Sequence, residues 1–272
     1  MRPPAGLLHR GLGRVEAFDW PEDRLPELRH QLETTALPFS LHAPLARPAG
    51  YPHGPEAVFY LNDDPAERRR AWAILEHALG HARAWGGEYV VTHLAWGADS
   101  TDERRALALA DEAAARFAAL AAASGVRVLV ETGGYTGWFH TAAQYAALAA
   151  TDPGLGLCID IGHSRLVADT RGRDFFTDLA VLAPHAQAMH LWNTRGLDHY
   201  RTHHHVPLHP SQTPAEGWID VERALDVVLA RNPDCALVFE YPYDTRDAAR
   251  VEEGFAWVAA IAARHGKATR QA

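Results

Sequence analysis

Six short apolar runs in this chain end in a side chain able to bind a cation: His42, His93, Glu131, Asp160, His190 and Glu240. A lone histidine at a strand end is usually a hydrogen-bonded structural residue, and a carboxylate there often caps the next helix. Such endings in one strand after another are harder to explain by capping, which would also draw Ser, Asn and Thr. The mixture of carboxylate and imidazole suits Zn, Mn or Fe better than Mg or Ca, which prefer oxygen alone. Converging carboxylates left unpaired carry a cost in desolvation and repulsion, and a bound cation removes that cost.

Further polar residues cluster near these endings. His163 follows Asp160 by three positions, on the same rim, as a ligand or substrate contact. Residues 192–217 contain His199, His203, His204, His205 and His209. In an extended segment, His203 and His205 present their rings to one side, as a metal-binding pair would. Trp96, Trp138 and Trp192 lie just beyond strand ends, where an indole can wall a sugar site. Arg165, Arg195 and Arg201 are candidates for holding a phosphate or carboxylate of a substrate. Thr132-Gly133-Gly134 lacks the full phosphate-loop pattern and reads as a tight turn.

The elements that must position these groups alternate. Strands are expected at about 14–18, 39–42, 88–93, 126–131, 155–160, 186–191 and 236–240. Helices are expected at about 21–34, from 64 through Ala82, and at about 102–123, 141–150, 174–183, 220–230 and 246–263. Residues 46–63 form a long Pro/Gly/Tyr loop of the kind that covers a site, and 192–217 form a second long loop. The strands are almost continuously apolar, as strands buried on both faces are. Alternation over this length favours an α/β fold of the TIM (β/α)8-type barrel, one domain spanning 1–272, over a doubly wound sheet. Seven strands are visible; the first is degenerate within residues 1–12 or missing.

Bulk properties narrow the function. The 272 residues carry a net charge of -8, and Lys267 is the only lysine, so duplex nucleic acid is an unfavourable partner. Cys158 and Cys235 sit in apolar runs and read as buried thiols of a reducing compartment. No apolar run reaches membrane-spanning length, and Met1-Arg2-Pro3-Pro4 does not open a signal peptide. From these features a cytoplasmic location is expected. They leave its oligomeric state open, a homo-oligomer included.

On Ser40-Leu41-His42-Ala43-Pro44, Val91-Thr92-His93, Leu129-Val130-Glu131-Thr132, Cys158-Ile159-Asp160-Ile161-Gly162-His163, Ala188-Met189-His190-Leu191 and Phe239-Glu240, the sequence resembles the xylose-isomerase-like TIM-barrel superfamily. That superfamily holds sugar phosphate isomerases and epimerases and the endonuclease IV-type AP endonucleases. The resemblance runs over roughly residues 14–260. It implies a metal set of Glu131, Asp160, His190 and Glu240, with His163 contacting metal or substrate. It matches His42 and His93 to extra ligands of the multi-zinc endonucleases. Those enzymes carry an Asp-x-His where this chain has His203-x-His205, so a third metal is not secured. The cofactor implied is zinc or manganese, one to three ions.

The expected function is a divalent-metal-dependent isomerase or epimerase of a sugar or related polyol. Glu131 and Glu240 would exchange the proton on either face of an enediolate, and His163 would steady the oxyanion. Trp96, Trp138, Arg195 and Arg201 would contact a sugar-like small molecule. The alternative is a multi-zinc phosphoester hydrolase, favoured by His42, His93 and the loop histidines.

Overall fold

A computed structural model describes residues 12–54, 57–94, 100–133, 136–241 and 247–266. The chain divides into two compact units, residues 1–157 and 158–272.

In the first unit the strands β1 (Val15–Ala17), β2 (Phe39–His42), β3 (Tyr89–His93) and β4 (Arg127–Glu131) lie side by side in chain order, followed by the start of β5 (Leu155–Asp160). Strands β1 to β4 pair in parallel. Register matters most between β3 and β4, where His93 stands opposite Glu131, so both strands end level. Helices α1 (Leu25–Thr35), α2 (Pro65–Trp85), α3 (Glu103–Ser124) and α4 (Ala142–Ala149) return the chain between strands. A 3-10 turn at Glu22–Arg24 precedes α1.

Local chemistry sets the helix limits. Asp64 and Asp102 accept hydrogen bonds from the backbone amides that open α2 and α3. Gly86 and Gly125 end those helices in the left-handed conformation, where a side chain would be strained. Along α2, Ala71, Ile74, Leu75, Ala78, Leu79 and Ala82 recur at helical spacing and are buried. Tyr60, Trp72 and Phe117 form an aromatic cluster beside them, with ring centroids 4.6 to 5.1 Å apart.

The second unit contains the end of β5, then β6 (Ala186–Leu191) and β7 (Ala236–Phe239), with β6 and β7 parallel. Its helices are α5 (Ile161–Thr170), α6 (Phe175–Leu182), α7 (Leu197–His203), α8 (Val221–Leu229) and α9 (Ala248–Arg264).

The expected elements match the observed ones to within a few residues at each end, and β2, β5 and β6 match at both ends. Two helices were not expected. Helix α5 begins at Ile161 with no residue between it and β5, because the Asp160 side chain accepts the His163 amide at 2.6 Å and starts the helix at once. Helix α7 occupies the middle of the segment 192–217, expected to be a loop, and it buries no residue, so no apolar periodicity announced it. The degenerate first strand expected within residues 1–12 falls almost wholly outside the described residues. Among the described residues there are seven strands.

Candidate metal centre

In the first unit the strand ends bring His42, His93 and Glu131 together, with a potential ligand atom of each within 4.8 Å of the others. All three are buried. Glu131 Oε2 lies 2.8 Å from His42 Nε2 and 3.0 Å from His93 Nε2. The His42 ring is oriented from behind, because its Nδ1 lies 3.1 Å from the carbonyl oxygen of Ala43. A carbonyl can only accept, so Nδ1 carries the hydrogen and a neutral His42 turns the Nε2 lone pair toward Glu131. A lone pair facing a carboxylate oxygen at 2.8 Å is unfavourable unless a proton or a cation lies between them. A backbone carbonyl fixing the far nitrogen is also the usual outer support of a metal-bound histidine. The donors present therefore fit a cation. Phe18, at the end of β1, sets its ring edge-on to His42 at 4.7 Å while remaining 38% exposed, a neighbour that the sequence did not single out.

In the second unit Asp160, His190 and Glu240 likewise offer ligand atoms within 4.8 Å of one another. Asp160 is fully buried and doubly held: Oδ1 caps α5, while Oδ2 accepts the Trp192 indole N–H at 2.7 Å. The positive end of α5 adds to the stabilisation of its charge. Glu240 stands one residue beyond β7, with its amide bonded to the Leu191 carbonyl at 3.2 Å. Its Oε2 is 3.4 Å from His190 Nδ1 and 3.8 Å from His205 Nδ1. His205 Nδ1 also donates to the Glu240 carbonyl at 2.9 Å, which leaves Nε2 as the acceptor of a neutral ring.

Trp192 organises this unit's site. It is fully buried, stacks on His205 with centroids 4.1 Å apart and planes 10° from parallel, and meets the His163 ring edge-on at 5.0 Å. Its place is beneath the site residues, which corrects the expectation that it walls a sugar. The glycine of the Asp-Ile-Gly-His stretch is explained here. A Cβ on Gly162 would stand 2.2 Å from Trp192 Cε2, so no side chain fits. His163 lies in the first turn of α5, not in a loop, and meets Tyr200 at 5.6 Å and His205 at 5.2 Å.

The other candidates have contacts of their own. His203 ends α7 with its ring 4.6 Å from His199. Among the described residues, neither donor group includes His163, His203 or His205. Arg195 lies over the Trp218 ring at 5.3 Å, and Arg201 is exposed and bonded to Asp198 at 3.0 Å. Arg165 grips Asp169 through both carboxylate oxygens. His209 bonds Ser211 and Glu253. Trp138 is 37% exposed and donates its N–H to the Ser100 carbonyl. Trp96 lies outside the described residues. Within the loop 46–63, Val58, Tyr60 and Leu61 are core residues, so that part is anchored. Asp19, Trp20, Arg47 and Tyr51 line an open cleft of about 290 Å³ beside its first part.

A family model described as the xylose isomerase-like TIM barrel matches residues 7–261. The chain belongs to this family. Its fold class is therefore the TIM barrel, as the alternation of strands and helices led us to expect. Solved structures of similar fold include a D-tagatose 3-epimerase-like protein, with a TM-score of 0.70 and 14% identity over 94% of this chain and 91% of that one. The IOLI protein with a bound zinc atom gives 0.67 and 14% identity over 93% and 89%. Endonuclease IV from Thermus thermophilus gives 0.56 and 22% identity over 92% and 90%. No curated protein matches the chain by sequence. No helix among the described residues is long and apolar enough to cross a membrane.

Proposed function

We propose that this xylose isomerase-like barrel is a divalent-metal-dependent isomerase or epimerase that moves a proton on a sugar or related polyol through an enediolate. The observation behind this is the grouping of Asp160, His190 and Glu240, two carboxylates and an imidazole with ligand atoms within 4.8 Å. Such a donor set fits zinc or manganese. Glu131, Asp160, His190 and Glu240 would hold the ion. Bound there, it would polarise a substrate carbonyl and the adjacent hydroxyl.

The remaining roles belong to the protein. Glu240 is the one member of this group with an appreciably exposed side chain, at 32%, so a substrate can reach it. It would take the proton from the carbon beside the carbonyl, and Glu131 would be the second acid–base group. The His190 and His205 rings lie beside its Oε2, and the His205 bond to its carbonyl fixes the backbone there. His163, positioned by Trp192 and the start of α5, would hydrogen-bond the oxygen on which charge develops. Trp138 would offer its exposed ring face to the sugar, with Trp96, Arg195 and Arg201 as further contacts. The neighbour described as D-tagatose 3-epimerase-like supports the substrate class, and the neighbour with bound zinc supports the metal.

A second function has its own support. His42, His93 and Glu131 form a donor group in the first unit, and an additional ion there would suit a multi-zinc phosphoester hydrolase. The net charge of -8 and the single lysine weigh against a duplex substrate. The deciding experiment incubates the metal-loaded protein with a panel of ketoses and aldoses in D2O. Deuterium entering the carbon next to the carbonyl, and none in Glu240→Gln, is the expected result. Phosphoester hydrolysis without exchange on any sugar would reassign the protein to the hydrolases.

A further inference from the structure

Among the described residues, His209 lies outside both donor groups and stands between a hydroxyl and a carboxylate instead. Its Nδ1 is 2.7 Å from Ser211 Oγ, and its Nε2 is 2.9 Å from Glu253 Oε2 on α9. One turn earlier on α9, the Arg250 guanidinium donates to Ser211 Oγ at 3.3 Å. The His209 side chain is only 12% exposed, whereas Ser211 faces solvent.

The platform under these groups is stiff. Buried Gln212 accepts the His209 amide and the Asn193 side-chain amide through Oε1, both at 3.0 Å, and donates to the Pro207 carbonyl at 2.9 Å. Leu208 is fully buried, and α9 lies directly against its backbone: a Cβ on Gly254 would stand 2.1 Å from the Leu208 carbonyl oxygen. The segment that carries His209 and Ser211 is thus fixed against the helix that carries Arg250 and Glu253.

Hydrogen bonding assigns the protons. The Ser211 amide lies 3.2 Å from His209 Nδ1, and an amide can only donate. Nδ1 therefore offers its lone pair, and the neutral ring carries its hydrogen on Nε2, from which it donates to Glu253. Arg250 also only donates, so Ser211 Oγ accepts from it and turns its own hydrogen toward Nδ1. Nucleophile, base and orienting carboxylate are linked in the order that activates a serine. The positive charge of Arg250 lowers the cost of taking the proton from Oγ.

We propose that Ser211, His209 and Glu253 form a second, esterase-type catalytic site, independent of the strand-end donors and of the function proposed for them. Ser211 Oγ bonds to the carbonyl carbon of an ester as its proton passes to His209 Nδ1. The carbon–oxygen bond to the alcohol breaks, and the departing oxygen takes that proton. Water then gives a proton to His209 and attacks the acyl carbon. The acid leaves, and Ser211 Oγ takes the proton back. Glu253 holds the ring tautomer and steadies the imidazolium. A guanidinium has five N–H donors, so Arg250 has others for the carbonyl oxygen as it becomes negative. The open position of Ser211 admits short acyl groups such as acetyl.

The test treats the full-length, metal-loaded protein with a fluorophosphonate, from which a serine oxygen displaces fluoride at phosphorus, and maps the adduct by mass spectrometry. An adduct on Ser211 is expected in the folded protein and not in the urea-unfolded chain, a comparison that needs no variant. His209→Gln should slow its formation about 100-fold, the low end of acid–base catalysis. Glu253→Gln should slow it only about 3- to 5-fold, because an ion pair this exposed is worth little. p-Nitrophenyl acetate should leave an acetyl group on Ser211 that water then removes. No adduct on Ser211, an adduct formed as fast in the unfolded chain or in His209→Gln, or an acetyl group that never leaves overturns the proposal.

Discussion

Replacing Gly162 by alanine tests the second unit's site with a single methyl group. The added Cβ would lie 2.2 and 2.3 Å from Trp192 Cε2 and Cζ2. Carbon atoms in comfortable contact are about 3.5 Å apart, so the indole must retreat by more than about 1 Å. It has nowhere easy to go: Trp192 is fully buried, stacked on His205, and hydrogen-bonded to Asp160. Overpacking of this kind costs about 1–3 kcal/mol. Losing the indole N–H to a buried carboxylate adds about 1.5–3 kcal/mol. A total near 4 kcal/mol lowers the melting temperature of a chain of this size by roughly 7 to 10 °C. Displacing a residue that orients a metal ligand should also weaken cation binding about 10- to 100-fold. Calorimetry of the stripped protein reads the first effect, and competition with a chromophoric chelator reads the second. Trp192→Phe makes room for the methyl, so Gly162→Ala should cost less in that background than alone. Melting within about 2 °C of wild type together with unchanged cation affinity would refute the role given to Trp192.

Three other outcomes are expected. Glu240→Gln should retain the fold by circular dichroism but show no turnover or deuterium exchange, and unchanged activity would remove Glu240 from the mechanism. Adding Zn2+ at about 100 times its dissociation constant to stripped protein should stabilise it by about 2.7 kcal/mol, read as a rise in melting temperature that chelator reverses. Counting those ions separates the two functions: about one per chain favours the isomerase, and two or three favour the hydrolase. His199, held below the usual histidine range first by burial and then by His203 and Arg195, should titrate below 6.5 when its ring signal is followed by NMR. With its folded pKa lowered, the contribution to stability is complete above the unfolded value and declines as pH falls from there toward the folded one. His199→Gln should therefore flatten the melting profile in that window.

Much of the fold was legible because buried parallel strands leave a simple signature. Phe39–His42, Leu155–Asp160 and Ala186–Leu191 are short apolar runs, and their ends coincide with the observed strands. The donors at these ends were legible too, since each interrupts an apolar run with a costly group. Three things were hidden. Helix α5 carries a glycine at its second position, which argues against a helix, yet Trp192 demands that glycine. Helix α7 has no buried face to give it a period. Phe18 and Tyr200 matter only through their contacts with His42 and His163, and contacts far apart in sequence leave no local mark.

Asp160 is the last residue of a strand, the cap of the helix that follows, and a member of the group proposed to hold a cation. These duties cannot be separated by mutation one at a time. A descendant that had lost its chemistry would still need an oxygen there to begin α5, and would still carry Trp192 bonded to it. Selection for folding alone would preserve aspartate at this place. Its survival in a relative therefore testifies to inherited architecture, and activity has to be judged at Glu240, the residue proposed to move the proton.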